Sequence, residues 1–167
     1  MKNNIFQAVF ILVLLLVQTA ALAVLPEASI WFPQLILLYV IAFALNHTFV
    51  ETAWLSFGMG LLSEVFSTSY FGSSALAFFL TGILIYFITR KLTSQDVSLA
   101  TLIFLAVPAT LLFPLWAFLF SGFLSLLGIS ARAAFGDFYS TGVLWLAFSN
   151  LVFLYPLNFL VTIINKR

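Results

Sequence analysis

Six long apolar stretches, at 5–25, 30–45, 50–66, 71–89, 99–127 and 138–164, take up nearly all of this chain and leave no polar segment long enough to fold by itself. A helix needs about 20 apolar residues to cross the hydrocarbon core of a bilayer, and within lipid its backbone groups must be satisfied internally. The pattern predicts an all-α polytopic membrane protein of about six transmembrane helices, built as a single integral membrane domain over 1–167. The second and third stretches are short and are joined by Asn46-His47-Thr48, which reads as a tight hairpin. The fifth and sixth exceed the length of a span and carry Pro108, Pro114 and Pro156, so tilt or kinks are expected there.

Composition narrows the functional classes. Charged residues make up only 7% of the chain, against roughly 25% in an ordinary soluble domain, which excludes a soluble fold. Six basic and five acidic residues give a net charge of +1, too little for a cationic nucleic-acid surface, so no nucleic-acid partner is expected. The chain has no cysteine and one histidine, His47, which leaves no disulfide, no thiolate nucleophile and no metal-ligand cluster. No metal and no cofactor are expected. An enzyme is not expected either, because His47 falls at one side of the membrane and the serine-rich turn at the other, while Glu64 is the one acid inside a predicted span.

Lys2, Arg90, Lys91, Lys166 and Arg167 fall on one side of the predicted membrane and Arg132 alone on the other. Cytoplasmic loops are enriched in Lys and Arg, so both termini are expected to be cytoplasmic. Glu27, the turn 67–70 and the segment 128–137 then face outward, and His47 and Glu51 lie at the inner surface. The start of the chain also resembles a signal peptide, with Lys2, an apolar run and Ala21-Leu22-Ala23. Continuation of the apolar run to Leu25, followed by more membrane helix, favours a retained first helix.

Within the third stretch, Ser56-x3-Gly60-x3-Glu64 recurs every fourth residue and occupies one helix face, with Gly72 eight residues further on. Small residues at this spacing let a second helix approach closely. An acid at the bilayer centre costs roughly 2.5 to 3.5 kcal/mol, less near the interface, and usually faces protein or water. Glu64 is therefore read either as a buried group with a partner or as an interfacial residue reaching the outer headgroups. Ser73 and Ser74 are candidate caps for the fourth helix, and Gly72 allows a left-handed or tightly packed turn. Gln18, Asn150 and Asn158 read as interhelical hydrogen-bonding groups, worth about 0.6 kcal/mol each. Arg132 and Asp137 read as headgroup residues, and Trp31, Trp54, Trp116 and Trp145 include candidates for the interfacial belts.

Pro33 opening the second helix, followed by Gln34-Leu35-Ile36-Leu37-Leu38-Tyr39, then small-x3-Gly-x3-acid, a polar turn and Gly72, resembles the MreD family, the rod shape-determining membrane proteins of bacteria. Asn150-x5-Pro156 echoes its C-terminal region. That family usually has Asp where this chain has Glu64, often Gly where it has Ser56, and a more basic loop before the third helix. The resemblance implies a non-enzymatic membrane scaffold in the bacterial plasma (inner) membrane. Its implied partners are the lipid bilayer and an MreC-like bitopic protein, and indirectly MreB filaments, RodA and its transpeptidase. Pro33, Ser56, Gly60, Glu64 and Gly72 are then the partner-binding or helix-packing residues.

A second reading is a substrate-binding S-component of an energy-coupling factor vitamin or metal uptake transporter, a six-helix fold that the MreD family resembles. It calls for an outer cavity, to which Glu64, Tyr70, Arg132, Asp137 and Tyr139 are candidates, and an alanine-rich docking face. Thr19-x3-Ala23 with Ala20 and Ala21 is a weak version of that face.

Overall fold

The computed structural model describes residues 2–24, 32–66, 72–92, 99–128 and 142–166. Six helices occupy them: α1 (Lys2–Val24), α2 (Leu35–Asn46), α3 (Phe49–Val65), α4 (Ser73–Leu92), α5 (Leu99–Leu126) and α6 (Gly142–Lys166). Each coincides with one of the predicted stretches. Glu27, Trp31, Tyr70, Arg132, Asp137 and Tyr139, and with them the turn 67–70, lie outside the described residues.

Everything is arranged around α2. Its residues from Leu35 to Ala44 are all buried, as expected of a helix apolar on every side. It packs on α1, α3, α4, α5 and α6. Residues of all six helices join in one hydrophobic cluster, including Leu15, Tyr39, Met59, Ile85, Leu105 and Leu154. With 12 residues, α2 is about 18 Å long at 1.5 Å per residue, short of a full span. Four helices do contain stretches long and apolar enough to cross a membrane: Gln7–Val24, Ser73–Lys91, Thr101–Leu126 and Leu144–Ile163. The helix α3, at 17 residues, sits at the lower end of the spanning range.

Many large apolar side chains lie on the outer surface. Val9, Leu12, Val13, Leu16 and Val17 form an exposed stripe on α1, and Trp54, Phe104, Trp145, Phe148 and Phe159 project from α3, α5 and α6. An apolar exterior of this kind is untenable in water and fits lipid. In α5 the buried residues run only from Leu102 to Thr110, and in α6 from Asn150 to Val161. The second half of α5 and the first turns of α6 therefore extend past the core. Pro108, Pro114 and Pro156 lie inside continuous helices and end neither of them.

At the other end, α2 and α3 form the expected tight hairpin. The Thr48 side chain accepts from the Glu51 N–H while the Glu51 carboxylate accepts from the Thr48 N–H, a reciprocal capping box that starts α3. Arg90, over the Tyr86 ring, donates from Nη2 to the His47 carbonyl at 3.2 Å, tying the hairpin to the end of α4. Burial beside Phe43 holds the His47 imidazole below its ordinary pKa, against the opposing pull of the Glu51 carboxylate.

Two glycines set the α3–α4 spacing. A Cβ on Gly60 would run into the Ala75 backbone and the Ser74 carbonyl, and one on Gly82 would lie 2.7 Å from the Ser56 Cβ. A Cβ on Gly58 would meet nothing within 4 Å among the described residues. Gly60→Ala is expected to force the helices apart and destabilise by about 1–3 kcal/mol. Gly58→Ala on the same helix is expected to be neutral or stabilising by up to about 1 kcal/mol through helix propensity. Thermal unfolding of the two purified variants in detergent checks the contrast.

Candidate functional site

Two helices, α2 and α4, begin at the end of the bundle where α1 and α3 finish. The first N–H groups of a helix have no partner within it and must find one elsewhere. For α4 the partner is Glu64. Its Oε2 accepts from the Gly72 N–H at 2.7 Å, and its Oε1 accepts from the N–H groups of Ser74 at 2.5 Å and Ala75 at 2.9 Å. The helix's own ladder starts with Leu76 N–H donating to the Gly72 carbonyl at 3.0 Å. Gly72 adopts φ 95°, a left-handed conformation open to glycine at little strain. The carboxylate also sits at the positive end of the α4 dipole, and charge-assisted bonds of this kind offset the desolvation of a buried acid.

This arrangement decides between the two readings of Glu64 in favour of the buried group with partners. Glu64 is 5% exposed, so it does not reach the headgroups. At the α4 start the N–H groups of Gly72, Ser74 and Ala75 are held by Glu64 from α3. Glu64 is absent from the lining of the cavity described below. Ser56 and Gly60 stand on the same seam as Glu64: Ser56 Oγ donates to the Thr52 carbonyl at 2.7 Å and the Ala53 carbonyl at 3.1 Å, and its side chain fills the space left by Gly82. The motif from Ser56 to Gly72 is thus internal helix packing between α3 and α4.

Pro33 lies apart from that seam, at the start of α2, where it is buried and its carbonyl accepts from Leu35 N–H at 2.9 Å. Gln34 makes no side-chain cap. Instead Asn150 Oδ1 on α6 accepts from Gln34 N–H at 2.8 Å, and Gln18 Oε1 on α1 accepts from Ile36 N–H at 3.0 Å. Asn150, fully buried, also donates from Nδ2 to Thr110 Oγ1 at 2.9 Å, and Thr110 donates to the Ala106 carbonyl at 2.8 Å. Four helices meet through these groups. Sequence reasoning found Gln18 and Asn150 as interhelical donors or acceptors but not as caps. The signal available was an amide in each of two apolar helices opposite a proline-started third. Asn158 Oδ1 is buried without a hydrogen-bond partner among the described residues.

Beside both helix starts lies a cavity of about 450 Å³ walled by α1 to α5. Its polar lining is Gln18, Thr19, Gln34, Ser63 and Ser74, and Phe78 and Phe113 are among its apolar lining. No described lining residue is charged. Gln34 Oε1 is buried without a partner among the described residues. Of the α1 residues considered as a docking face, Thr19 and Ala23 line this cavity and Ala20 is exposed.

Helix length, apolar exterior and buried polar caps together define a multi-pass helical membrane protein. No family model, curated protein or solved structure matches the chain.

Removing the caps is expected to be costly in proportion to the donors orphaned. Glu64→Ala leaves three N–H groups without their acceptor and is expected to destabilise by about 3 kcal/mol or more at roughly 1–3 kcal/mol per buried unsatisfied group. Asn150→Ala orphans one N–H, that of Gln34, while the Thr110 hydroxyl keeps its bond to the Ala106 carbonyl, and is expected to cost less, about 1–3 kcal/mol. Denaturant or thermal unfolding in detergent, with Ser149→Ala as a control, gives the ranking.

Proposed function

We propose that this protein is a non-enzymatic, MreD-like scaffold subunit of the bacterial cell-elongation machinery. It sits in the plasma membrane with both termini cytoplasmic. It binds an MreC-like bitopic protein there, and through it links MreB filaments to peptidoglycan synthesis by RodA and its transpeptidase. The resemblance from Pro33 to about Arg90 supports the family, and the cavity beside the helix starts is the observation that carries the binding role. Its described lining is uncharged, with the amides of Gln18 and Gln34 and the hydroxyls of Thr19, Ser63 and Ser74, and one buried acceptor, Gln34 Oε1, is in want of a donor. Such a lining suits an uncharged polar group or a peptide backbone, because a buried unpaired charge would meet no counter-charge there. The α3–α4 motif acts in this reading by holding the cavity wall in place, and contributes no direct contact.

The same cavity favours a second reading, the S-component of an energy-coupling factor transporter. Its volume of about 450 Å³ lies within the range of about 300–1,000 Å³ typical of small-molecule sites.

Photocrosslinking in native membranes separates the two. Probes at Thr19 and Ser63 face the cavity, whereas a probe at Trp145 faces lipid. The scaffold reading expects a bitopic MreC-like protein captured at the first two positions and not at the third, with capture reduced about tenfold or more by Gln34→Leu, the loss of one buried hydrogen bond and its desolvated partner. Capture of a transporter coupling subunit, together with a small molecule retained by the purified protein, replaces it with the second reading.

A further inference from the structure

A separate apolar groove of about 380 Å³ runs along the outside of α4 against α5. Leu80, Ile83, Leu84, Phe87 and Ile88 form one wall, the Trp116 indole belongs to the other, and Lys91 stands at one end. That end is the basic end of the bundle, marked by the Arg90 bond to the His47 carbonyl. Lys91 and Arg90 are both exposed there. The nearby Glu51 carboxylate is engaged by the Thr48 N–H and hydroxyl, each at 2.9 Å.

Length and charge select the occupant. From Leu80 to Lys91 the groove follows twelve residues of α4, about 16 Å between the first and last, which is close to half of a hydrocarbon core about 30 Å thick. The groove therefore matches one leaflet. A trough that is apolar along one leaflet and ends in an ammonium at the interface complements a chain joined to an anion. Basic pockets between membrane helices bind anionic headgroups for this reason. A neutral lipid or an apolar helix would leave Lys91 unmatched.

We propose that this groove is a binding site for an anionic phospholipid of the leaflet at the basic end, which the charge distribution assigns to the cytoplasmic side. One acyl chain lies between α4 and α5. The phosphate meets Lys91, while Arg90 is held by the His47 carbonyl and the Tyr86 ring. The site is independent of the cavity beside the helix starts and of the scaffold reading.

Native mass spectrometry of the full-length protein, exchanged into mixed micelles of phosphatidylglycerol and phosphatidylcholine, tests it. Wild-type protein is expected to retain phosphatidylglycerol about fivefold over phosphatidylcholine, the preference of roughly one interfacial cation. Lys91→Gln is expected to abolish that preference. Ile83→Trp, which fills the groove and keeps Lys91, is expected to lower retention of phosphatidylglycerol as strongly, and Leu84→Trp repeats the test at a second position. Leu160→Trp, on the lipid face of α6, is expected to change nothing. Equal retention of the two lipids by wild type overturns the proposal. So does a preference that survives Lys91→Gln, or one indifferent to both groove-filling variants while their unfolding temperatures stay at the wild-type value.

Discussion

Backbone N–H groups at the first turn of a helix are the constraint on which this structure depends, because lipid supplies no substitute for water. Most helix ends in a membrane protein reach an interface where water can serve. α2 and α4 start instead where other helices extend past them, and their first donors are met by side chains from elsewhere in the chain. Glu64 serves α4, and Gln18 and Asn150 serve α2. The three acceptors come from α3, α1 and α6, so each cap is also a tertiary contact, and the start of each helix is fixed only when the bundle has assembled.

Gly60 and Glu64 act as two halves of one device. Without a Cβ at Gly60, the backbone of Ser74 and Ala75 can lie directly on α3. One helical turn later, Glu64 reaches the N–H groups of those same two residues. A side chain at position 60 would lift α4 away and carry its donors out of reach, so close approach is the condition for the cap. Ser56 and Gly82 form a matching pair deeper in the seam, where a small side chain on α3 fills the gap opposite a glycine on α4. The acid at 64 and the serine at 56 are both accommodated within this one interface.

The helices themselves were legible in the sequence because runs of apolar residues bounded by polar turns leave few alternatives in a bilayer. Their partners were less so. A cap is normally sought within three residues of the helix it serves, as with Thr48 and Glu51 at the start of α3. Glu64 accepts from residues eight, ten and eleven positions ahead, and Asn150 from one 116 positions behind. Nothing in local spacing marks these pairings, which explains why Glu64 read equally well as a headgroup residue. The start of α2 was legible to within two residues, since Pro33 read as its opening. The apolar run begins at residue 30, but Pro33 disfavours helical backbone at the residue before it, and the helix begins at Leu35.

That late start is also what creates the cavity. α2 is the central helix, and Gln34 and Ile36, at its beginning, line the space that α1, α3, α4 and α5 enclose. A central helix longer by two turns would fill this space with apolar side chains. The group that lines the cavity on α1, Gln18, is the one that caps Ile36. An occupant that draws on the Gln18 carbonyl oxygen competes with the first turn of α2, whereas one that donates to Gln34 Oε1 satisfies an atom the fold leaves unpaired. Fold and site therefore share their polar groups, and the occupant that costs the fold least is one that brings a hydrogen-bond donor to Gln34 and leaves Gln18 in place.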